Sequence, residues 1–261
     1  MPLGDPAQPP RTRRALAVAS EDGAEVHRLS QQIMFWQDEE DTLDITTPDD
    51  VVDVLFTLQC RSIPVDHAYA LCQVVSTAVP WLADSGAGIH TIHVAGSQNG
   101  WERPSHGVDQ HLLLSRRTKL CIRVPEARVA DLKVALEGRV LDVGGAALGI
   151  GTGKPKPLSR ATTLFARYVA GPADLDEEAF LRWAVASLRE LLDIPVRKAL
   201  CGKQTPLDTP SGPLATRSLM LAELKPDASL RLQQQGLGPH RLMGCGLFIP
   251  HKGIDAVHKP E

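Results

Sequence analysis

The stretch "VVDVLFTLQCR", Val51–Arg61, starts the pattern from which the fold can be predicted. From Val54 to Cys60 every second residue is apolar, and an alternation of period two is typical of a β-strand with one buried face. Pro64 ends this run, and Asp66 can cap a following helix. The apolar positions of that helix recur at helical spacing: Leu71, Val74, Val75, Ala78 and Leu82. The segment therefore predicts a strand followed by a helix.

The next segments continue the alternation of strands and helices as far as residue 151. Strands are predicted in "GIHTIHVAG" (88–96), "HLLLS" (111–115) and "TKLCIRVP" (118–125). A helix is predicted in "EARVADLKVALEG" (126–138), which ends at Gly138, and "RVLDVGGAALGIG" (139–151) predicts a hairpin or a bent strand. The order β-α-β-β-α-β is that of a ferredoxin-like unit.

The same order repeats after "GTGKPKPLS" (151–159), a stretch of low hydrophobicity that is predicted to be a linker. A strand (160–171) precedes a helix (175–192) that Asp174 or Asp176 can cap. Two further strands, a short helix with Pro226 in its first turn and a final strand complete the pattern; they are predicted at 196–207, 213–225, 226–236 and 247–250. The fold class is therefore α+β, with two tandem ferredoxin-like (RRM-like) domains that have antiparallel sheets. We expect them at 46–153 and 158–253.

Charge separates the beginning of the chain from the remainder. Residues 1–53 contain 12 acidic and 4 basic residues, a net charge of −8, whereas residues 54–261 contain 19 acidic and 24 basic residues, a net charge of +5. We expect residues 1–45 to form an acidic, flexible leader. The mildly basic body is compatible with nucleic-acid binding, although an ordinary solvated surface explains it equally well.

Several classes of protein are excluded by what the sequence lacks. The five cysteines form no CxxC pair, so neither a zinc site nor a disulfide framework is indicated, and the reduced cytoplasm is the expected compartment. Metal-protease, phosphate-loop and calcium-loop motifs are missing, and we expect neither a metal nor a cofactor. No apolar run is long enough to span a membrane.

The glycine-rich stretch "RLQQQGLGPHRLMGCGLFIPHKG", Arg231–Gly253, lies between the last helix and the last strand. Glycine allows left-handed turns and close approach of the backbone, so successive N–H groups there could bind phosphate. A helix cap followed by a β-bulge explains the same glycines. The spacing alone does not separate these two interpretations.

Tandem ferredoxin-like domains that end with such a loop resemble the RAMP superfamily of CRISPR proteins. The resemblance is greatest to the pre-crRNA-processing endoribonucleases of the Myxan subtype. The matching segments are "VLFTLQCRSIPVDHAYAL", "AGIHTI", "LLLSRRTKLCIRVP" and "SLRLQQQGLGPHRLMGCGLFIP", which together span roughly residues 50–250. The acidic leader is not part of this resemblance.

The resemblance implies cleavage of CRISPR repeat RNA without a metal. The ribose 2′-OH attacks the neighbouring phosphate and produces a 2′,3′-cyclic phosphate and a 5′-OH. Histidine is suited to move the protons because its pKa lies near neutral pH. His67, next to the start of the first helix, matches the family's catalytic histidine, with Lys119 as a charge stabiliser and His90 as a reserve candidate; an ordinary capping or solvated histidine is the alternative for His67.

The expected RNA contacts fall into three groups. The first two are basic clusters, which solvated hairpins would also explain, and the third is the glycine-rich loop. The candidate residues are Arg116 and Arg117; Arg197, Lys198 and Lys203; and Gly236, Gly238, His240, Arg241, Gly244 and Gly246. The expected partner is repeat RNA that forms a stem-loop. Two other classes stay open: a non-catalytic RAMP subunit of a CRISPR effector complex, and a tandem ferredoxin-like module for a small molecule or for assembly.

Overall fold

The structure, a computed structural model, describes residues 50–93 and 110–252. The expected leader at residues 1–45 lies outside the described residues. Nothing in the described part of the chain is a helix with the length and apolar character needed to cross a membrane.

The first half of the described chain forms a five-stranded antiparallel sheet with two helices. Its elements are β1 (Val51–Gln59), β2 (Ser62–Pro64), α1 (Ala68–Ala78), β3 (Gly88–Ile89), β4 (His111–Leu113), β5 (Lys119–Pro125), α2 (Val129–Leu136), β6 (Val140–Val143) and β7 (Ala146–Pro157). The strand order is β3-β5-β1-β7-β6, while β2 and β4 pair separately. Without the edge strand β6, this is the order of a ferredoxin-like sheet.

Because apolar residues alternate along β1, one face of this sheet is apolar, and α1 and α2 cover that face. Val52, Val54 and Phe56 are buried in one core together with apolar residues of both helices, such as Leu71 of α1 and Leu132 of α2. The odd-numbered residues of β1 point to the opposite face because successive side chains of a strand alternate. Cross-strand pairing places residues of β5 and β7 beside them on that face.

The second half repeats this architecture. Its elements are β8 (Leu164–Val169), α3 (Glu177–Leu192), β9 (Lys198–Leu207), β10 (Leu214–Ala222), α4 (Pro226–Gln235) and β11 (Ile249–Pro250), and the strand order is β11-β8-β10-β9. The Asp176 side chain accepts a hydrogen bond from the Ala179 amide at 2.7 Å, so Asp176 is the cap of α3. The predicted fold class is confirmed in both halves.

Three local expectations differ from the structure. The stretch 151–159, predicted as a linker, is strand as far as Pro157, and the chain passes between the sheets over 158–163. The N-cap of α1 is His67 and not Asp66. The Asp66 carboxylate instead accepts a hydrogen bond from the Asp208 amide at 2.7 Å. In the predicted strand 88–96, only Gly88–Ile89 is strand among the described residues. The division into domains at 46–153 and 158–253 stays a prediction.

Candidate nucleic-acid interface

The glycine-rich loop folds back on itself immediately after α4. Gly236, Gly238, Gly244 and Gly246 all have a positive φ, between +66° and +84°. The Leu237 amide donates a hydrogen bond to the Gly246 carbonyl at 3.2 Å, which closes the loop. Glycine is the residue that adopts this conformation without strain, so the loop needs its glycines for its own shape.

Protein backbone approaches these glycines closely. A Cβ atom on Gly246 would lie 2.1 Å from the Leu237 carbonyl oxygen, and one on Gly238 would lie 2.5 Å from the Ala170 carbonyl oxygen. Gly236, Gly244 and Gly246 are buried, whereas Gly238 is exposed. Packing within the protein therefore accounts for the glycines, and contact of the three buried ones with RNA stays a prediction.

The loop packs at the junction of the two halves. Met243 and Cys245 share a buried cluster with Ala68 of α1, with Tyr168 of β8 and with Ala170, which follows that strand. The start of α1 is therefore covered by the second half of the chain. The position of α1 relative to the loop depends on this cluster.

The Arg241 side chain links the glycine-rich loop to the end of α4 and to Gly86. Its guanidinium donates hydrogen bonds to the carbonyl oxygens of Gln234 and Gln235, at the end of α4, and to that of Gly86 at 3.1 Å. Burial, with a further contribution from the charge of Arg123, lowers the pKa of Arg241 to about 10, so the side chain stays protonated at neutral pH. The predicted role of Arg241 in RNA binding thus has to coexist with a structural role that sequence reasoning missed.

His67 is buried, with 2% of its surface exposed. Its Nδ1 lies 2.9 Å from the Pro64 carbonyl oxygen, to which it donates, and its Nε2 accepts from the Ile92 amide at 2.9 Å. These partners favour the neutral tautomer that carries its proton on Nδ1. The basic nitrogen of His67 is therefore occupied by the main chain that follows β3.

His90 belongs to a different, largely buried cluster. Its Nε2 lies 3.6 Å from Asp53, whose carboxylate accepts two hydrogen bonds from Arg123, at 2.8 and 2.9 Å. Burial lowers the pKa of His90, and Asp53 only partly offsets this effect. Burial acts to raise the pKa of Asp53, but His90 and Arg123 hold that pKa well below its usual range.

Asp53, His90 and Cys121 are the one set of three residues in the described ranges whose donor atoms lie close enough to hold a metal ion. However, the guanidinium of Arg123 already occupies the Asp53 carboxylate and is fully buried beside it. Burial also raises the pKa of the Cys121 thiol well above its usual value, which disfavours the thiolate that a metal would need. The donor set does not fit a metal, and we assign none here.

The predicted basic residues lie in two groups on different sheets. Arg116 and Arg117 are exposed in the turn before β5, and Lys119 is partly exposed at the start of that strand. The second group is exposed on and beside β9 and consists of Arg197, Lys198 and Lys203. Lys198 forms an ion pair with Glu223, which reduces the positive charge available at that site.

Two further lysines lie with Lys119 on the face of the first sheet that is opposite α1 and α2. Lys154 of β7 pairs with Leu55, Lys156 pairs with Asp53, and both lysines are exposed. Lys119 pairs with Thr57 on the other side of β1, so the three lysines share this face. The "KPK" of residues 154–156 gives no strand signal of its own, since proline within a run counts against a strand, and its place in β7 depends on pairing with β1.

The sequence matches the family described as Cas6 Crispr over residues 52–253. The chain belongs to the Cas6 family. A curated relative of this Cas6 chain, the CRISPR-associated endonuclease Cas6 of Myxococcus xanthus (strain DK1622), is 33% identical over 201 residues, which are 76% of this chain and 81% of the relative.

Two solved structures share the fold of this Cas6 chain. One is titled CRISPR associated protein Cas6, with a TM-score of 0.56 and 13% identity, and the other is titled an RAMP protein binding different RNA substrates, with a TM-score of 0.52 and 12% identity. Each match covers 77% of this chain and all of the other. At this identity the likeness shows a shared fold.

Proposed function

We propose that this Cas6-family chain is an endoribonuclease that cleaves CRISPR repeat RNA. The observation that carries the proposal is the family match, which extends from β1 through the glycine-rich loop. A relative with one third identity carries the name of a CRISPR-associated endonuclease. The described elements of both ferredoxin-like halves lie within the matched region, apart from the first residue of β1.

The reaction we propose needs no metal. The 2′-OH attacks the adjacent phosphate, the 5′-oxygen leaves, and the products carry a 2′,3′-cyclic phosphate and a 5′-OH. His67 is our candidate for moving one of these protons, and its neutral tautomer supplies Nε2 as a base. Since Nε2 accepts from the Ile92 amide, this hydrogen bond has to open before the nitrogen can reach RNA. His90 is the reserve candidate, and its buried partners Asp53 and Arg123 make it less accessible.

Positive charge on the face of the first sheet opposite α1 and α2 is suited to hold the RNA backbone. Lys119, Lys154 and Lys156 share this face, and the exposed Arg116 and Arg117 precede β5. Lysine and arginine bind phosphate without regard to sequence, so this surface would position RNA while base pairing in a stem-loop selects it. We assign Lys119 the additional role of stabilising charge at the cleaved phosphate.

The cellular setting is also part of the proposal. All five cysteines are free, with no disulfide among them. Free thiols are usual in a reducing compartment, and we place the reaction in the cytoplasm. Subunits of a CRISPR effector complex are the protein partners that we propose.

Single-turnover cleavage of a repeat RNA tests the function. The purified chain is mixed with an RNA that carries one CRISPR repeat able to form a stem-loop, and the termini of the products are determined. The matched control is the same RNA with a 2′-deoxynucleotide at the cleavage site, which lacks the attacking hydroxyl and should stay intact. Tight, salt-sensitive binding without cleavage would instead indicate the non-catalytic RAMP subunit.

A further inference from the structure

A groove of about 400 Å³ lies between α1, the turn that follows it, and the glycine-rich loop. Its apolar lining includes Cys72, Leu82, Ala87, Leu242 and Met243. His240 and Arg241 line it from the loop side. The volume exceeds the space that one planar nucleobase needs, and ligand pockets of a few hundred Å³ with apolar walls and a few polar groups are typical of sites for small organic groups.

The charge of the groove favours an anionic ligand. Among the described residues that line it, Arg241 and His240 can carry positive charge and none is acidic. A larger concavity beside β9, about 620 Å³, differs in this respect because Glu223 lines it together with Arg197 and Lys198. An apolar wall beside uncompensated positive charge is complementary to a nucleotide, which joins a planar base to a phosphate.

The backbone of His240 supplies a second, independent observation. This residue has φ +64° and ψ +37°, the left-handed conformation that non-glycine residues rarely adopt. Its carbonyl oxygen accepts hydrogen bonds from the amides of Met243 at 2.9 Å and Cys245 at 3.2 Å, which hold it in place. A side chain kept at such a position, in a loop where the other left-handed residues are glycines, points to a role for the exposed imidazole.

We propose that this groove binds one unpaired nucleotide of the repeat RNA, with the base against the apolar walls and its phosphate beside His240 and Arg241. The inference rests on the proposed function and adds a subsite to it. Arg241 is already fixed by three carbonyl acceptors, so its charge is placed in advance and little side-chain entropy is lost on binding. An apolar side chain of a partner protein would contact the walls but bring no negative charge to Arg241.

Filling the groove tests this proposal. Ala83 is exposed and lines the groove, so Ala83→Trp places an indole in the space of the base. Val134→Trp is the matched control, because Val134 is 86% exposed on α2 and does not line the groove. His240→Asn removes the imidazole and keeps a residue that tolerates the left-handed conformation. We expect Ala83→Trp and His240→Asn to weaken binding of the repeat RNA about 10-fold, the scale of losing one stacked base, and Val134→Trp to bind as the parent does.

An abasic scan of the RNA identifies the nucleotide. Each unpaired position is replaced in turn by an abasic nucleotide, and binding is measured with the parent and with both groove variants. We expect one position at which the parent loses about 10-fold in affinity while Ala83→Trp loses little more, since both changes remove the same contact. His240→Asn removes the contact to the phosphate instead of the base, so if Ala83→Trp does not fold, parental affinity of His240→Asn for the repeat RNA would overturn the subsite.

Independent effects of Ala83→Trp and every abasic position, or parental binding by both variants, would overturn the base subsite. This failure is distinguishable from failure of the proposed function. In the first case the parent still cleaves the repeat RNA, and in the second it does not.

Discussion

The guanidinium of Arg123 on β5 donates a hydrogen bond to the main-chain carbonyl of Gln233 near the end of α4, at 2.7 Å. A second bond from the same nitrogen reaches the Phe248 carbonyl at 3.0 Å. The other two nitrogens of the guanidinium bind Asp53, so one fully buried side chain joins the first sheet to the two ends of the glycine-rich loop. The loop is therefore held by a buried charge of the first half as well as by its own turns.

We expect Arg123→Met to lower the free energy of unfolding by about 3–5 kcal/mol, because the change leaves a mostly buried Asp53 carboxylate without its counter-charge. Urea unfolding measures the loss. Arg182→Met is the matched control: Arg182 pairs with Glu178 on the exposed surface of α3, and its removal should cost less than about 1 kcal/mol. Equal losses in the two variants would show that the Arg123 network contributes no more than a surface ion pair.

His90 should make the stability depend on pH. Burial lowers the pKa of its imidazole in the folded chain, whereas the unfolded value is about 6.5. Below about pH 6.5 the unfolded chain therefore binds a proton that the folded chain does not, and stability falls as the pH falls towards the lowered pKa. We expect this decrease to be shallower in His90→Gln, by up to about 1.4 kcal/mol per pH unit. Urea unfolding of both proteins between pH 8 and 5 measures it, and parallel curves would contradict the assignment.

The order of strands and helices could be predicted because its signals are local. Alternation with period two in β1 and the Asp176 cap of α3 each depend on residues that are near neighbours in sequence. The linker prediction failed for the same reason. The polar stretch 154–157 is strand because it pairs with β1, which lies about 100 positions earlier, and no local pattern reports such a partner.

The site was less predictable because its geometry depends on contacts between distant segments. His67 was chosen because it matches the family's catalytic histidine next to a helix start, but the amide that its Nε2 accepts from belongs to Ile92, 25 positions away. Arg241 was predicted to meet phosphate, yet the carbonyls that engage it belong to α4 and to Gly86. Functional residue types can be found in a sequence, whereas the partners that set their protonation and accessibility require the fold.

The cost of replacing a glycine should depend on the space around its Cβ position as well as on its φ. Gly246 and Gly86 both have φ +66°, but a Cβ on Gly246 would meet the Leu237 carbonyl at 2.1 Å, whereas nothing lies within 4 Å of one on Gly86. Gly86→Ala should therefore lower the free energy of unfolding only by the cost of the left-handed conformation, roughly 1–2 kcal/mol. Gly246→Ala should cost a further ~1–3 kcal/mol for the overlap. Thermal unfolding of both variants measures the difference, and equal losses would mean that the loop moves aside freely.

Removal of metal ions should leave cleavage unchanged. In the described part of the chain, Asp53, His90 and Cys121 are the set that could hold an ion, but Arg123 already occupies the Asp53 carboxylate. We therefore expect the same single-turnover rate with and without excess EDTA. A matched reaction with added Mg²⁺ controls for effects of the ion on RNA folding. A rate that is lost on chelation and restored by Mg²⁺ or Mn²⁺ would place the chemistry in a metal-dependent class.

His67 should affect the chemical step more than RNA binding. His67→Gln is the informative change, since the glutamine carbonyl can still accept from the Ile92 amide but cannot carry a proton at neutral pH. If His67 moves a proton, single-turnover cleavage should slow by about 10²- to 10⁴-fold, while affinity for the intact repeat should change little because phosphate contacts dominate it.

The same substitution at the exposed His111 is the control, and thermal unfolding of both variants verifies that they are folded. The parental rate should rise with pH through the range of histidine ionisation if His67 is the base, and fall there if it is the acid. A folded His67→Gln protein that cleaves at the parental rate would remove His67 from the mechanism. The buried hydrogen bond to Ile92 would then be its whole role, and His90 would be tested next.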